Sequence, residues 1–294
     1  MIEQQIKDIA YSLGIDLIGF SNSGCLSEIK DNISKQPKSF ITPFQANLSG
    51  YEQNNTNFIA IALSYAQSKV PLTKNEVTFA DFSIGQDYHL VLMNKMNNLI
   101  TYLKEFFPND SFKPLTDTDP LCNRSIAYNA GIGFFGKNNL LINNKYGSYL
   151  VLGYIQSTHT FIIDKPVDKN CLSCNNCIKA CPGQALNNKY LDGKKCLSYL
   201  TQSKENLTNG EEDLFNQTIY GCDICQEVCP HNIDIPRDIH PEFKPTGVEI
   251  IDIYKYEPLS NKQFKIKYGH LTGAWRGKAT FERNIKLYKR KLEK

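Results

Sequence analysis

Eight of the ten cysteines in this 294-residue chain fall between Cys171 and Cys229, and their spacing carries the clearest chemistry in the sequence. Cys171, Cys174, Cys177 and Cys181 follow one another as C-x2-C-x2-C-x3-C, with Pro182 next. Bacterial ferredoxins hold four-iron clusters by such a run. Three thiolates in one tight loop take three irons of a cube, while the fourth, at the start of a helix, turns to a second cluster. Cys222, Cys225 and Cys229, followed by Pro230, repeat the last three positions and lack the first; Cys196 stands upstream and can fill that place. Exchange of the fourth ligand then gives two complete sets. One is Cys171, Cys174, Cys177 and Cys229; the other is Cys181, Cys196, Cys222 and Cys225. Structural zinc also uses four cysteines, but typically in separated pairs. Disulfides would need an oxidising compartment. Cys25 and Cys122 are left over and read as small buried hydrophobes.

Two adjacent clusters make an electron path, yet about 170 residues precede them, more than an electron carrier needs. That stretch reads as an α/β domain. Ile2, Ile6, Ile9, Ala10 and Leu13 predict a helix over 2–14, ended by Gly14. Residues 16–20 read as a short strand, 21–56 as a polar loop with one short helix, and 58–65 as an apolar strand. The strongest helical pattern covers 88–107 and stops at Pro108. A strand at 112–115, a helix to Ala130 and strands at 139–143 and 148–157 complete the alternation. Division into 1–163, 164–240 and 241–294 follows, the last with a helix near 280–292.

Composition is that of an ordinary globular chain, 41% hydrophobic and 21% charged. No run approaches a membrane span, and the N-terminus lacks a secretory core, so a cytoplasmic protein without a membrane partner is expected. The net charge of +3 is unevenly spread. Residues 261–294 hold 11 Lys/Arg against 2 Asp/Glu, a local +9, which leaves −6 on residues 1–260. A basic segment with a tryptophan suits a polyanionic partner; a plain amphipathic helix is the alternative.

Taken singly, the remaining motifs are weak. Gly131-Ile-Gly-Phe-Phe-Gly136 follows a helix, the wrong context for a dinucleotide fingerprint. Asp87 and Asp117 each read as routine helix caps. The ordered set says more: Gly85-x-Asp87-Tyr88-His89, Asp117-Thr118, Ala130-Gly-Ile-Gly-Phe-x-x-Lys137-Asn138, Tyr146-Gly-Ser-Tyr149, the eight cysteines, Cys196-Leu-Ser-Tyr-Leu-Thr201, Tyr220-Gly-Cys-Asp-x-Cys-Gln226 and Gly269-His-x-x-Gly-x-Trp-Arg-Gly-Lys278. Over nearly its whole length the chain resembles the bacterial epoxyqueuosine reductases.

The resemblance implies a mixed α/β (α+β) architecture. A nitroreductase-like, cobalamin-binding domain comes first, then a ferredoxin-like domain with two [4Fe-4S] clusters and a short basic helical tail. It implies reduction of the epoxide of epoxyqueuosine to queuosine at the wobble position of tRNA, in a monomer fed by a low-potential donor of ferredoxin or flavodoxin type. Asp117 matches the family's catalytic aspartate, a proton donor to the epoxide oxygen held protonated in a shielded pocket. Leu141, Leu152, Ser198 and Asp223 fall where the family lines the corrin, with Lys137 and Asn138 in a nearby loop. Trp275, Arg276 and Lys278 fall where the family meets tRNA.

Three departures stand out. The sequence ends 16 residues after Lys278, whereas many members continue into a helical-repeat module. No arginine precedes Arg124, although members carry one that contributes to the cofactor site. Asp87-Tyr88-His89 continues to Leu92 rather than glycine, so the Asp-x-His-x-x-Gly signature of histidine-ligated cobalamin is absent. Two other readings remain, a related cobalamin and iron–sulfur reductase of dehalogenase type and a ferredoxin-like electron carrier.

Overall fold

The computed structural model describes residues 1–24, 34, 56–117, 121–187 and 191–293. The short helix expected within 21–56, and Cys25, lie outside the described residues or rest largely on them. In chain order the elements begin with α1 (Ile2–Ser12), β1 (Leu17–Asn22), β2 (Asn57–Ser64), β3 (Glu76–Phe79), α2 (Tyr88–Phe106), β4 (Phe112–Leu115), α3 (Asn123–Asn129), β5 (Phe134–Phe135), β6 (Leu141–Ile142) and β7 (Leu150–Ser157). There follow α4 (Asn176–Ala180), α5 (Leu197–Gln202), α6 (Asn209–Glu212), β8 (Thr218–Tyr220), α7 (Ile224–Glu227), β9 (Ile251–Asp252), α8 (Asn261–Tyr268) and α9 (Lys278–Leu292). Among the described residues no helix is long and apolar enough to cross a membrane.

Contacts divide the chain into two units, residues 1–64 with 89–173 and residues 65–88 with 174–294. The first unit is built on a four-stranded sheet in the order β1-β2-β7-β4. All three pairings are antiparallel. Strand β2 is buried along its entire length, which explains why its sequence is a continuous apolar run rather than an alternation. Phe58, Ala60 and Ala62 on β2 pack with Ile126, Ala127 and Ala130 at α3 and with Tyr154 on β7. Helix α2 buries Val91, Leu92, Met96, Leu99, Ile100 and Leu103, the stripe expected of its 3.6-residue period. The expected strand at 139–143 shrinks to β6, which pairs antiparallel with β5; Asn143 adds one bridge to Gly147 across the turn.

In the second unit, β3 lies between β8 and β9, parallel to the first and antiparallel to the second. Residues 65–88, which a linear reading assigns to the N-terminal domain, thus supply the middle strand of this sheet. The basic C-terminal stretch is not a separate tail. Phe264, Tyr268 and Leu271, at and just after α8, and Phe281, Ile285 and Tyr288 on α9 form one core with Val77, Phe79, Ile219 and Tyr220. Buried Asn284 donates from Nδ2 to the carbonyls of Thr201 and Ile219, both at 2.7 Å. Lys262, Lys265, Lys267, Lys286, Arg290 and Lys291 are exposed on the outward side of these helices, whereas Arg283 turns inward and donates to the carbonyls of Ser203 and Leu200.

Candidate metal centre and active site

All nine described cysteines are free thiols. Cys171 and Cys174 lie in an irregular stretch, Cys177 on α4, and Cys181 where α4 ends in extended backbone. Cys196 is the residue before α5, Cys222 and Cys225 flank and enter α7, and Cys229 opens a 3-10 turn led by Pro230. These elements are only four to six residues long, so they bring cysteines together through turns rather than by long helices. Within the second unit, Asn176 Nδ2 at the start of α4 donates to the carbonyl of Val228 at 3.4 Å, next to Cys229. A side chain at Gly183 would stand 1.9 Å from the carbonyl oxygen of Lys195. That close approach of two backbones lays the turn after Cys181 against the turn before Cys196.

The second proposed set shows its proximity electrostatically. Burial pushes the Cys222 thiol up to about 12, and the neighbouring Cys196, Asp223 and Cys181 push the same way. Cys225 is raised by burial and then by Cys222, Cys196, Asp223 and Cys177. Cys196 is raised by burial and by Cys181, although N–H groups of Tyr199 and Ser198 point at its sulfur. Ile224 N–H faces Cys222, and Ala185 N–H donates to Cys181 Sγ at 3.3 Å. A crowded set of half-buried thiols is a poor place for free thiolates and a good one for a cationic cluster that shares their charge.

Asp117 lies just beyond β4 with φ of +50°, left-handed backbone that an aspartate tolerates better than most residues. Its Oδ1 accepts from Asn123 Nδ2 at 2.9 Å, and its Oδ2 stands 3.8 Å from His89 Nε2 on α2. The shielded setting expected for it is not what this unit provides: the side chain is 50% exposed. It follows β4, the edge strand of the sheet, in a bend of the backbone. Neither His89 nor Asn123 was legible as its neighbour from sequence, since each is separated from it by a turn or an entire helix.

The remaining expected positions divide between the units. In the first, Leu141 is buried on β6 within the core, Leu152 is half-buried on β7, Asn138 is buried and Lys137 is half-buried. In the second, Ser198 sits on α5, where its carbonyl accepts from Thr201 and Gln202. Asp223 precedes α7 and is 5% exposed; its Oδ2 accepts from the backbone N–H of Asp81 at 2.7 Å and its Oδ1 from Gln226 at 3.0 Å. Trp275 is 63% exposed, yet its indole N–H donates to Tyr220 Oη at 2.9 Å, and the Arg276 guanidinium lies 3.8 Å from the ring centroid. Lys278 pairs with Glu282 one turn on, at 3.7 Å. An aromatic face presented with a cation stacked on it is a suitable platform for an unpaired base.

The glycine- and aspartate-bearing motifs also acquire roles in the scaffold. Gly85 has φ of +75°, and any side chain there would meet the backbone of Glu242 and Phe243. Asp87 accepts from Thr272 Oγ1 at 3.2 Å while its N–H donates to the carbonyl of His270 at 2.9 Å. The Gly-x-Asp-Tyr-His and Gly-His-x-x-Gly motifs thus meet within the second unit.

Comparison with known proteins agrees with this arrangement. Residues 170–232 match the family described as 4Fe-4S double cluster binding domain, and residues 49–118 match that described as epoxyqueuosine reductase QueG, DUF1730. The chain is 38% identical to an epoxyqueuosine reductase of Bacillus cereus over 97% of its own length and 80% of that protein's. The fold superimposes on a structure of the Bacillus subtilis epoxyqueuosine reductase, solved with its catalytic loop swung out of the active site, with a TM-score of 0.86 at 31% identity, covering 98% of this chain and 80% of that one. An epoxyqueuosine reductase solved with an epoxyqueuosine-modified tRNA-Tyr stem loop gives a TM-score of 0.87 at 30% identity, with the same coverage of 98% and 80%. On its cluster-binding cysteines, its ordered motifs and its match across 97% of its length, the chain belongs to the epoxyqueuosine reductase family.

Proposed function

We propose that this protein reduces the epoxide of epoxyqueuosine, at the wobble position of tRNA, to the alkene of queuosine. Family membership over 97% of the chain is the observation that carries the reading. The net change consumes two electrons and two protons and releases the epoxide oxygen as water. Electrons enter from a low-potential ferredoxin or flavodoxin and pass through the clusters of residues 164–240. Bound cobalamin supplies low-potential electrons at the reacting carbon. Asp117 donates its carboxyl proton to the epoxide oxygen as the ring opens.

Leu141, Leu152, Ser198 and Asp223 are the residues we assign to cobalamin. A buried amide atom supports the assignment of an amide-edged cofactor. Asn138 Nδ2, in the loop before Leu141, has no hydrogen-bond partner among the described residues. Buried polar atoms left so are costly unless a ligand or water completes them. Trp275, Arg276 and Lys278 contact tRNA, the first by stacking on a base and the others through phosphates. In this reading residues 1–163 carry the acid and the first part of the cofactor site, Ser198 and Asp223 complete that site, and the protein works as a cytoplasmic monomer.

Anaerobic purification, reconstitution with iron, sulfide and cobalamin, and incubation with epoxyqueuosine-bearing tRNA and a strong reductant test this. Queuosine in the digested tRNA is the expected product. Its absence from protein that holds both iron and cobalt would overturn the assignment.

A further inference from the structure

Asp223 lies in sequence between two cluster ligands, Cys222 and Cys225. It does not stand alone. Asp81, 5% exposed, donates its backbone N–H to Asp223 Oδ2, so two buried carboxyl groups meet beside the same ligands. One cation serves them. Lys69 Nζ is 2.9 Å from Asp81 Oδ1, 3.9 Å from Asp223 Oδ2 and 3.0 Å from Glu227 Oε1, and Glu227 is on α7 with Cys225. All four groups belong to the second unit and line a cleft of about 290 Å³. Arg237 adds a more distant positive charge that acts on Asp81.

The arrangement has an electrical consequence. Adding an electron to a four-iron cluster adds negative charge to a partly buried body already bound to four thiolates. Carboxylates beside the ligands oppose that step and a cation favours it, and both effects gain strength where water is excluded. Burial opposes the charge on Lys69, but Asp81 and Asp223 outweigh it and hold the lysine well above its ordinary value, so the ammonium stays charged throughout the neutral range. We propose that Lys69 sets the potential of the cluster held by Cys181, Cys196, Cys222 and Cys225, offsetting the carboxylates of Asp81 and Asp223 and so favouring the reduced cluster. Lys69 is a positioning charge rather than a catalytic residue, because it acts on the cluster through Asp223. The proposal rests on the two-cluster reading.

Midpoint potentials of the reconstituted protein, titrated with Ti(III) citrate and read by EPR, provide the test, with iron content measured alongside. In Lys69→Met one of the two cluster potentials moves to a lower value and the other moves less. Lys69→Arg keeps both near the parent. In Asp81→Asn the same potential moves to a higher value. Opposite signs in the two variants mark a charge effect; a distorted ligand loop has no reason to reverse sign. Unchanged potentials in Lys69→Met with full iron, or shifts of the same sign in both variants, overturn the proposal. Should Lys69→Met not retain iron, Asp81→Asn decides alone: a rise supports the proposal, and no change or a fall overturns it. Parent protein that reconstitutes with iron but shows no pair of cluster potentials overturns the two-cluster reading, and the role of Lys69 falls with it.

Discussion

The cysteine region and the Asp117 turn solve opposite problems. Around the cysteines of the second unit, backbone N–H groups already face the sulfurs of Cys181, Cys196 and Cys222, and burial and neighbouring thiols raise Cys196, Cys222 and Cys225. Such a cage cannot adjust without breaking, because a cluster needs four sulfurs at once. Asp117 is half-exposed, sits on left-handed backbone and touches two polar side chains, Asn123 and His89. A carboxyl that hands over a proton needs aim and a partner that arrives with the substrate, and it tolerates an open resting place. On the proposed function, electron delivery is built into the fold, whereas proton delivery from Asp117 is completed by what binds.

Four variants would break or sharpen that contrast. Cys222→Ser, in the rigid cage, has the largest effect: iron per chain falls by about half and turnover vanishes, measured by colorimetric iron and by queuosine formation. Full iron with normal turnover would show that the second ligand set is misassigned. Asp117→Asn, in the open turn, keeps both clusters and the cofactor spectrum but slows product formation by about 10²–10⁴-fold, the usual loss when a general acid is removed. Retained turnover would strip Asp117 of its role.

The charge-reversing pair Arg276→Glu and Lys278→Glu lies outside both sites. It should weaken binding of the tRNA stem loop by about tenfold or more and reduce the slope of log affinity against log salt by up to about two. Unchanged affinity in a titration would return the basic helices to a purely structural role.

Glu249→Gln tests the scaffold and has the smallest effect. The carboxylate is 1% exposed and accepts from the N–H groups of Thr246 and Gly247 and from the Thr246 hydroxyl at 2.8–3.0 Å, with Gly85 N–H at 3.4 Å. Burial opposes its charge, but these donors outweigh it and hold its pKa below the ordinary carboxylate value. A depressed carboxyl contributes stability above its unfolded pKa and loses it as pH falls through the folded one. The variant should cost about 1–3 kcal/mol near neutrality and less at pH 4, seen as melting curves that converge on acidification. A constant difference across pH would assign the effect to packing.

Much of the local structure was legible because it is written in short-range pattern. The periodicity of α2 and the apolar run of β2 each declared an element, and α9 begins only two residues before the helix read from its sequence. The order β1-β2-β7-β4 and its antiparallel pairing were not, since strands nearly a hundred residues apart in sequence become neighbours only after the chain folds. For the same reason residues 65–88 read as part of the first domain, although β3 pairs with β8 and β9. The basic C-terminal stretch read as a tail because its charge is conspicuous and its apolar stripe is sparse. Phe264, Phe281 and Tyr288 nonetheless bind it into a core.

The cysteine positions, the proposal that they divide into two ligand sets, and the family were legible in the sequence alone. Ligand spacing along a tight loop is a covalent property, and a cluster tolerates few alternatives to it. Tertiary structure alone decided which charges face those ligands and which groups face the acid. Lys69 reaches Asp223 across 154 positions and His89 reaches Asp117 across 28, and no local pattern encodes either meeting. Coulombic and hydrogen-bond interactions depend on distance in space and on exclusion of water, and both come into being only when the chain is packed.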